Sequence, residues 1–302
     1  MAAAGIDETV LAAHRRELHI HCYRLLANFD EAEDAVQEAL TKAWQAREAF
    51  GGGGHARAWL YRIATNVCLD RMRQVRALER SFAEVPWLQP YPDALLDEPA
   101  DLVVARETIE LAFLAVIQLL PARQRAVLIL RDVLEWSTTE TADALQMTVP
   151  AVTSALQRAR ATIAERRPPS TPPSPREQQL LAGFIDAHER MDAQASLAMV
   201  REDIRITMPP NPRLFEGRAT WRELFGRARE MGEWRLTPVW VNRMPAAVSY
   251  LKRPGEATFH PFKVDVLRVE GDQIAETTTF DAALADWIGL PATLTEEEAT
   301  RT

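Results

Sequence analysis

Residues 121–166 read PARQRAVLILRDVLEWSTTETADALQMTVPAVTSALQRARATIAER. Pro121 opens a helix, because its missing amide falls among donors that a helix start leaves unpaired. Ala126, Val127, Leu130 and Leu134 then recur on one face through Leu134. Ser137-Thr138-Thr139-Glu140 is a capping box. The short helix it starts ends near Leu145, Gln146-Met147-Thr148 is a turn, and Thr148 caps a longer helix to about Arg166. Val152, Leu156, Ala159 and Ile163 form the inward stripe of that helix. Thr153, Ser154, Gln157, Arg158 and Arg160 project outward. This is helix-turn-helix spacing, in which the second helix enters a major groove N-terminus first. Gln and Arg there read base edges, and Thr and Ser reach bases or phosphates. The same spacing also fits a helical hairpin without a ligand.

A second helical block lies upstream. Between Asn28 and Ala46 the apolar residues Ala32, Ala35, Val36, Ala39, Leu40, Ala43 and Trp44 follow helical spacing. Asp30, Glu31, Glu33, Asp34 and Glu38 crowd the front of this helix. Acids in a first turn complement the helix dipole, but so many also suit a basic partner. Phe50-Gly51-Gly52-Gly53-Gly54-His55 is a loop, without the flanking residues of a phosphate loop. From Ala56 to about Arg76 a helix buries Leu60, Ile63, Ala64, Val67, Cys68, Met72 and Val75, and sets Trp59, Arg62, Asn66 and Arg73 on another stripe. Arginines 57, 62, 71, 73, 76 and 80 face only Asp70 and Glu79 in this stretch. Aromatic, amide and guanidinium groups on one face suit unstacked bases and their phosphates. A plain solvated basic face is the alternative.

Composition sets bounds on these readings. The chain has 302 residues and a formal net charge of -8, which argues against an indiscriminate nucleic-acid coat but permits segregated charge. Cys22 and Cys68 are the two cysteines, too few for a disulfide scaffold or a cysteine-rich zinc site. No metal and no cofactor are expected. The start lacks a basic flank followed by an apolar core, so no signal peptide is expected. The apolar stretch Leu111 to Leu120 is about half a membrane span. The expectation is a soluble, cytoplasmic protein with no membrane contact. Pro168-Pro169-Ser170-Thr171-Pro172-Pro173-Ser174-Pro175 is an extended linker. Val85 to Pro99 is a second irregular stretch, between the two helical blocks.

FDEAEDAVQEALTKAWQ, AWLYRIATNVCLDRMR and the stretch from Leu120 to Ile163, in this order and spacing, resemble an extracytoplasmic-function sigma factor of bacterial RNA polymerase. The resemblance covers roughly residues 10–166. It implies two all-α sigma domains: region 2 over 8–80, a linker over 81–108, and region 4, the helix-turn-helix, over 109–167. It implies that Asp30, Glu33, Asp34, Gln37, Glu38 and Trp44 dock the clamp helices of the polymerase large subunit, with the flap as a further contact. Phe50, His55, Trp59, Arg62, Asn66 and Arg73 would open the minus-10 element and hold its flipped base. Thr148, Thr153, Ser154, Gln157, Arg158 and Arg160 would read the minus-35 element of promoter DNA. Members of the family often carry arginine early in the recognition helix. Here Thr153, Ser154 and Ala155 stand there, so phosphate anchoring concentrates on Arg158 and Arg160.

After the Pro-rich linker, 168–176, the pattern changes. A helical start over Gln178 to Val200 precedes strand-like runs at Ile204–Met208, Trp234–Asn242, Ala246–Leu251, Phe262–Glu270 and Ile274–Phe280, with Gly271-Asp272 as a hairpin turn. LLAGFIDAHERMDAQASLAMV, MPPNPRLFEGRATW and FKVDVLRVEGDQIAETTTF make 177–302 resemble the SnoaL-like, nuclear-transport-factor-2-like α+β cone. WLQPYPD, from Trp87, resembles a linker motif of sigma factors that carry such a domain. Relatives of the fold use a pocket Asp or His, which makes Asp186, His188, His260 and Asp265 candidates. The plainer reading puts His188 on a surface helix and Asp265 in a strand's alternation, so no catalysis is expected. Trp221, Trp234, Trp240 and Phe262 read as core, with a small-molecule pocket as the alternative. The expected function is a sigma factor whose C-terminal domain modulates activity through contacts with the sigma domains or the linker. The alternative is a ligand-responsive helix-turn-helix regulator acting without core polymerase.

Overall fold

The computed structural model describes residues 6–50, 56–75, 88–96, 108–166, 175–287 and 289–296. Two compact units result: Met1–Leu88 with Glu107–Pro168, and Gln89–Arg106 with Pro169–Thr302. Gln89–Arg106, which falls in the expected linker, thus groups with the C-terminal unit.

The first unit is all helix. It contains α1 (Glu8–Leu26), α2 (Phe29–Gln45), α3 (Ala56–Val75), α4 (Leu111–Gln118), α5 (Ala122–Leu128), α6 (Thr138–Leu145) and α7 (Val149–Arg166). Side-chain caps start several of these helices: Asp7 accepts from Val10 N, and Asn28 accepts from Glu31 N. The helix expected from Pro121 to Leu134 is not uniform. It runs as α-helix to Leu128 and widens into a π-turn over Ile129–Val133, and Leu134 is only partly buried. The two helical blocks share a core. Buried Arg125 of α5 donates to the Leu25 carbonyl at 2.6 Å, to the Gln118 carbonyl at 2.7 Å and to the Gln118 side chain. Those carbonyls lie at helix ends, where no intrahelical donor remains. Cys22 and Cys68 are free and buried, and burial, with Cys22 alongside, pushes the Cys68 thiol up.

The second unit opens with α8 (Pro175–Glu189) and α9 (Ala193–Met199). Then come β1 (Val200–Met208), β2 (Asn211–Glu216), α10 (Gly217–Met231), β3 (Glu233–Val241), β4 (Met244–Lys252), β5 (His260–Glu270), β6 (Gln273–Asp281) and α11 (Ala283–Trp287). The sheet order is β2-β1-β6-β5-β4-β3; β1 and β6 are parallel, the other neighbours antiparallel. This is the expected α+β arrangement of helices followed by a mixed sheet. Strand β2 and helix α10 were not anticipated as elements. Prolines around Asn211 mask the strand, which lies at the sheet edge, where a residue without an N–H is tolerated. The expected helical start divides at Arg190–Asp192, and Asp192 recaps it by accepting from Gln194 N and Ala195 N. One sheet face packs on α8 and α10 through Phe184, Trp221, Trp234, Leu236 and Leu267. Two indole N–H groups are satisfied inside this core, Trp221 by Ser196 Oγ and Trp234 by the Ala228 carbonyl, both at 2.9 Å.

Candidate polymerase and promoter interfaces

The acids of α2 are less free than their number suggests. Glu33 pairs with Arg15 of α1 and accepts from Gln37 Nε2 at 3.1 Å. Arg71 of α3 reaches Glu31 at 2.9 Å, Glu38 at 3.3 Å and Asp34 at 3.9 Å. Hydrogen bonds from Lys42, then from Arg71, hold the Glu38 carboxyl below its ordinary range. Part of the acidic face therefore ties α1, α2 and α3 together. Asp34 remains 65% exposed. Trp44 is exposed at the far end of the helix, its ring under the Arg47 guanidinium at 4.3 Å.

The face of α3 repeats this pattern. Of its arginines, Arg57 pairs with Glu17 at 2.7 Å, Arg71 with the α2 acids and Arg73 with Asp70. The local surplus read from sequence is thus partly spent on internal acids. Arg62 is exposed and makes no ion pair among the described residues. Phe50 and Trp59 meet with ring centroids 5.1 Å apart, which brings two of the expected minus-10 residues together. The Asn66 amide donates to the Arg62 carbonyl at 2.9 Å, one turn back on its own helix. His55 lies outside the described residues.

In the helix-turn-helix the capping box closes both ways. Glu140 N donates to Ser137 Oγ at 3.1 Å, and Ser137 N to Glu140 Oε2 at 2.8 Å. Gln146 takes a positive φ of 51° and turns the chain. Thr148 Oγ1 accepts from Ala151 N at 3.3 Å. Val152, Ala155, Leu156 and Ala159 are buried, while Ile163 is only partly so. Thr153, Ser154, Gln157 and Arg158 are exposed on the other side. Arg160 is exposed as well, but it grips Asp132 with two hydrogen bonds of 2.9 and 2.7 Å. Arg158 makes no ion pair among the described residues.

The linker contact was not anticipated in its detail. Asn242 and Arg243 both take positive φ, 53° and 58°, which a tight hairpin turn between β3 and β4 needs. Tyr91 N donates to Asn242 Oδ1 at 2.7 Å, and Asn242 N to the Tyr91 carbonyl at 2.8 Å. Arg243 N donates to Asp93 Oδ1 at 2.8 Å. Tyr91 is 2% exposed and Asn242 is fully buried. An Asn-Arg pair between two strand-like runs was the available signal, but nothing local says that the turn binds a segment 150 residues away.

The four C-terminal candidates separate. Asp186 is exposed beside Arg190, and His260 is exposed beside Thr258. His188 is not on the surface, as the plainer reading had it. It is 6% exposed, because α8 turns this residue toward the sheet, and with Asp265 it lines a cavity of about 260 Å³. Trp221, Trp234 and Phe262 line the same cavity, whereas Trp240 does not.

A three-helix block followed by a helix-turn-helix is the build of a two-part DNA-binding protein, here with an α+β domain behind it. Residues 10–77 match Sigma-70 region 2, and residues 110–163 match Sigma-70, region 4. The chain is 39% identical to the extracytoplasmic-function (ECF) RNA polymerase sigma factor SigG of Mycobacterium tuberculosis, over 93% of this chain and 83% of that one. It is 32% identical to ECF sigma factor SigW of Bacillus subtilis, over 50% of this chain and 83% of SigW. The crystal structure of the M. tuberculosis sigma factor SigJ matches with a TM-score of 0.67 at 20% identity, over 95% of this chain and all of that one, which shows the shared fold. The chain belongs to the ECF RNA polymerase sigma factors. It binds core RNA polymerase and directs transcription initiation.

Proposed function

We infer that the work is divided as follows. The outward part of α2, with Asp30, Glu33, Asp34, Gln37, Glu38 and Trp44, docks the polymerase clamp helices, and the flap is a further contact. Phe50, His55, Trp59, Arg62, Asn66 and Arg73 open the minus-10 element. Support comes from the Phe50–Trp59 ring pair and from an exposed Arg62 on the same helix as Trp59 that makes no ion pair among the described residues. Thr148, Thr153, Ser154, Gln157, Arg158 and Arg160 face the minus-35 duplex. The functional divisions are 8–80, the linker 81–108, 109–167, the Pro-rich linker 168–176 and the C-terminal domain 177–302. Where polymerase works, in the cytoplasm, is where this chain acts. Among the described residues no helix is long and apolar enough to cross a membrane. No turnover is assigned to the C-terminal domain.

That domain modulates initiation through the linker. The observation that carries this is the reciprocal hydrogen bonding of Tyr91 and Asp93 with the Asn242–Arg243 turn. A linker held there cannot move freely between the two sigma regions. The full chain carrying Asn242→Gly with Asp93→Ala removes both side chains, and glycine keeps the positive φ at no steric cost. Run-off transcription with core polymerase should change several-fold at matched concentration. Unchanged run-off together with unchanged polymerase binding sinks the regulatory reading.

A further inference from the structure

Helix α7 turns by about 100° per residue. Its buried residues Val152, Ala155, Leu156 and Ala159 centre the inward face near the direction of Val152, which fixes the direction that points straight outward. Pro150, Ser154, Gln157 and Ala161 lie within about 40° of that outward direction, and all four are exposed. Arg158 stands on one flank of this strip, Thr153 and Arg160 on the other. A helix laid in a major groove turns its outermost strip to the base edges and its flanks to the phosphate walls.

The strip holds little that can tell one base from another. Pro150 and Ala161 carry no hydrogen-bonding side chain. Ser154 is short, and its hydroxyl donates or accepts as the neighbour requires. On the flank, Thr153 Oγ1 already donates to the Val149 carbonyl at 3.1 Å, and Arg160 is held by Asp132. Gln157 remains. Its side chain has no hydrogen-bond partner among the described residues, and it stands one turn beyond Thr153 and Ser154 on the same face. Its amide presents a donor and an acceptor side by side. In the major groove adenine alone matches that pair, with an N7 acceptor beside an N6 donor. Guanine shows two acceptors there, cytosine a donor, and thymine an acceptor and a methyl group.

We propose that Gln157 is the specificity-determining residue of the helix-turn-helix and that it reads an adenine of the minus-35 duplex with both ends of its amide. This rests on the minus-35 reading of α7 and names the base that the helix demands.

The full chain bound to core polymerase selects from a pool of short duplexes randomised at every position, and sequencing of the bound fraction gives the base preference at each position. The wild-type chain should favour A·T at one position by at least about fivefold. Gln157→Ala should flatten that position and leave the others as they are. Gln157→Arg should move the preference at the same position to G·C, because a guanidinium donates to both guanine O6 and N7. Gln157 is exposed and unpartnered among the described residues, so neither substitution disturbs the fold. Arg158→Ala, titrated on the selected duplex across a salt series, separates this proposal from the reading beneath it. Weaker binding and a lower salt slope for Arg158→Ala, with every base preference untouched by Gln157→Ala, overturn the role of Gln157 and leave the minus-35 reading standing. Equal binding by the wild-type chain, Arg158→Ala and Gln157→Ala at every salt concentration overturns both. A position flattened by Gln157→Ala whose wild-type preference is for a pair other than A·T overturns the assignment to adenine.

Discussion

Arg158 and Arg160 are two residues apart on one helix, and the sequence offers no reason to rank them. The structure does. Arg160 holds Asp132 with two hydrogen bonds, while Arg158 is exposed without an ion pair among the described residues. A guanidinium that must leave an acid to reach a phosphate gives up one interaction for the other, so on the proposed minus-35 reading Arg158 is expected to be the stronger anchor. Arg158→Ala should weaken binding of the holoenzyme to a minus-35 duplex and lower the slope of log affinity against log salt by about one. Arg160→Ala should do so less. Filter binding across a salt series reads both, and equal slopes for the two variants refute the ranking. The same reasoning applies to Arg71 and Arg73 on α3. Their charge was legible as a basic face, but their acids lie up to 40 residues away or one turn along, and composition does not say which arginine meets which acid.

Element by element, local signals served best where the chemistry is local. The capping box at Ser137–Glu140 needs only its own four residues, and it stands as read. Ser137→Ala removes the acceptor for Glu140 N and should cost about 1 kcal/mol of unfolding free energy; urea unfolding checks it, and a loss below about 0.3 kcal/mol would mean the cap is idle. The hairpin at Gly271-Asp272 and five of the six strands were legible as strand-like runs bounded by turn residues. Strand β2 was not, since Pro212 speaks against a strand and only the sheet edge excuses it. Gly232 shows a constraint that no local pattern announces. Its φ is 147°, and a Cβ there would stand 2.2 Å from the Lys252 carbonyl on the neighbouring strand. Gly232→Ala should therefore destabilise the second unit well beyond the usual cost of an exposed glycine substitution, as a lower midpoint for loss of its sheet signal on heating.

At the scale of the whole molecule, three histidines among the described residues, His19, His21 and His188, are buried in the uncharged form. Burial brings His19 and His188 down to about 4 and His21 to about 3 from an ordinary 6.5. With the folded pKa below the unfolded one, the unfolded chain takes up protons that the folded chain refuses. Stability is therefore complete above about pH 6.5 and falls as pH drops toward 4, by on the order of 3 kcal/mol at most for each of His19 and His188. Thermal unfolding from pH 7.5 to 4.5 should show a steadily falling midpoint with net proton uptake on unfolding. A flat midpoint across that window contradicts the buried neutral state. The sequence by itself determined the order of the parts, the helix-turn-helix with its cap and turn, most of the inward stripe of each helix (Leu40, Ile63, Leu134 and Ile163 are only partly buried and Trp44 is exposed) and the α+β character of the C-terminal domain. These follow from periodicity and turn chemistry within a few residues. Only the tertiary structure decided that Gln89–Arg106 joins the C-terminal unit, that Arg71 and Arg160 serve internal acids, and that His188 faces a cavity with Asp265 and Thr277. Those outcomes depend on which distant backbone groups and charges are brought within 3 to 4 Å, and spacing along the chain carries no record of that.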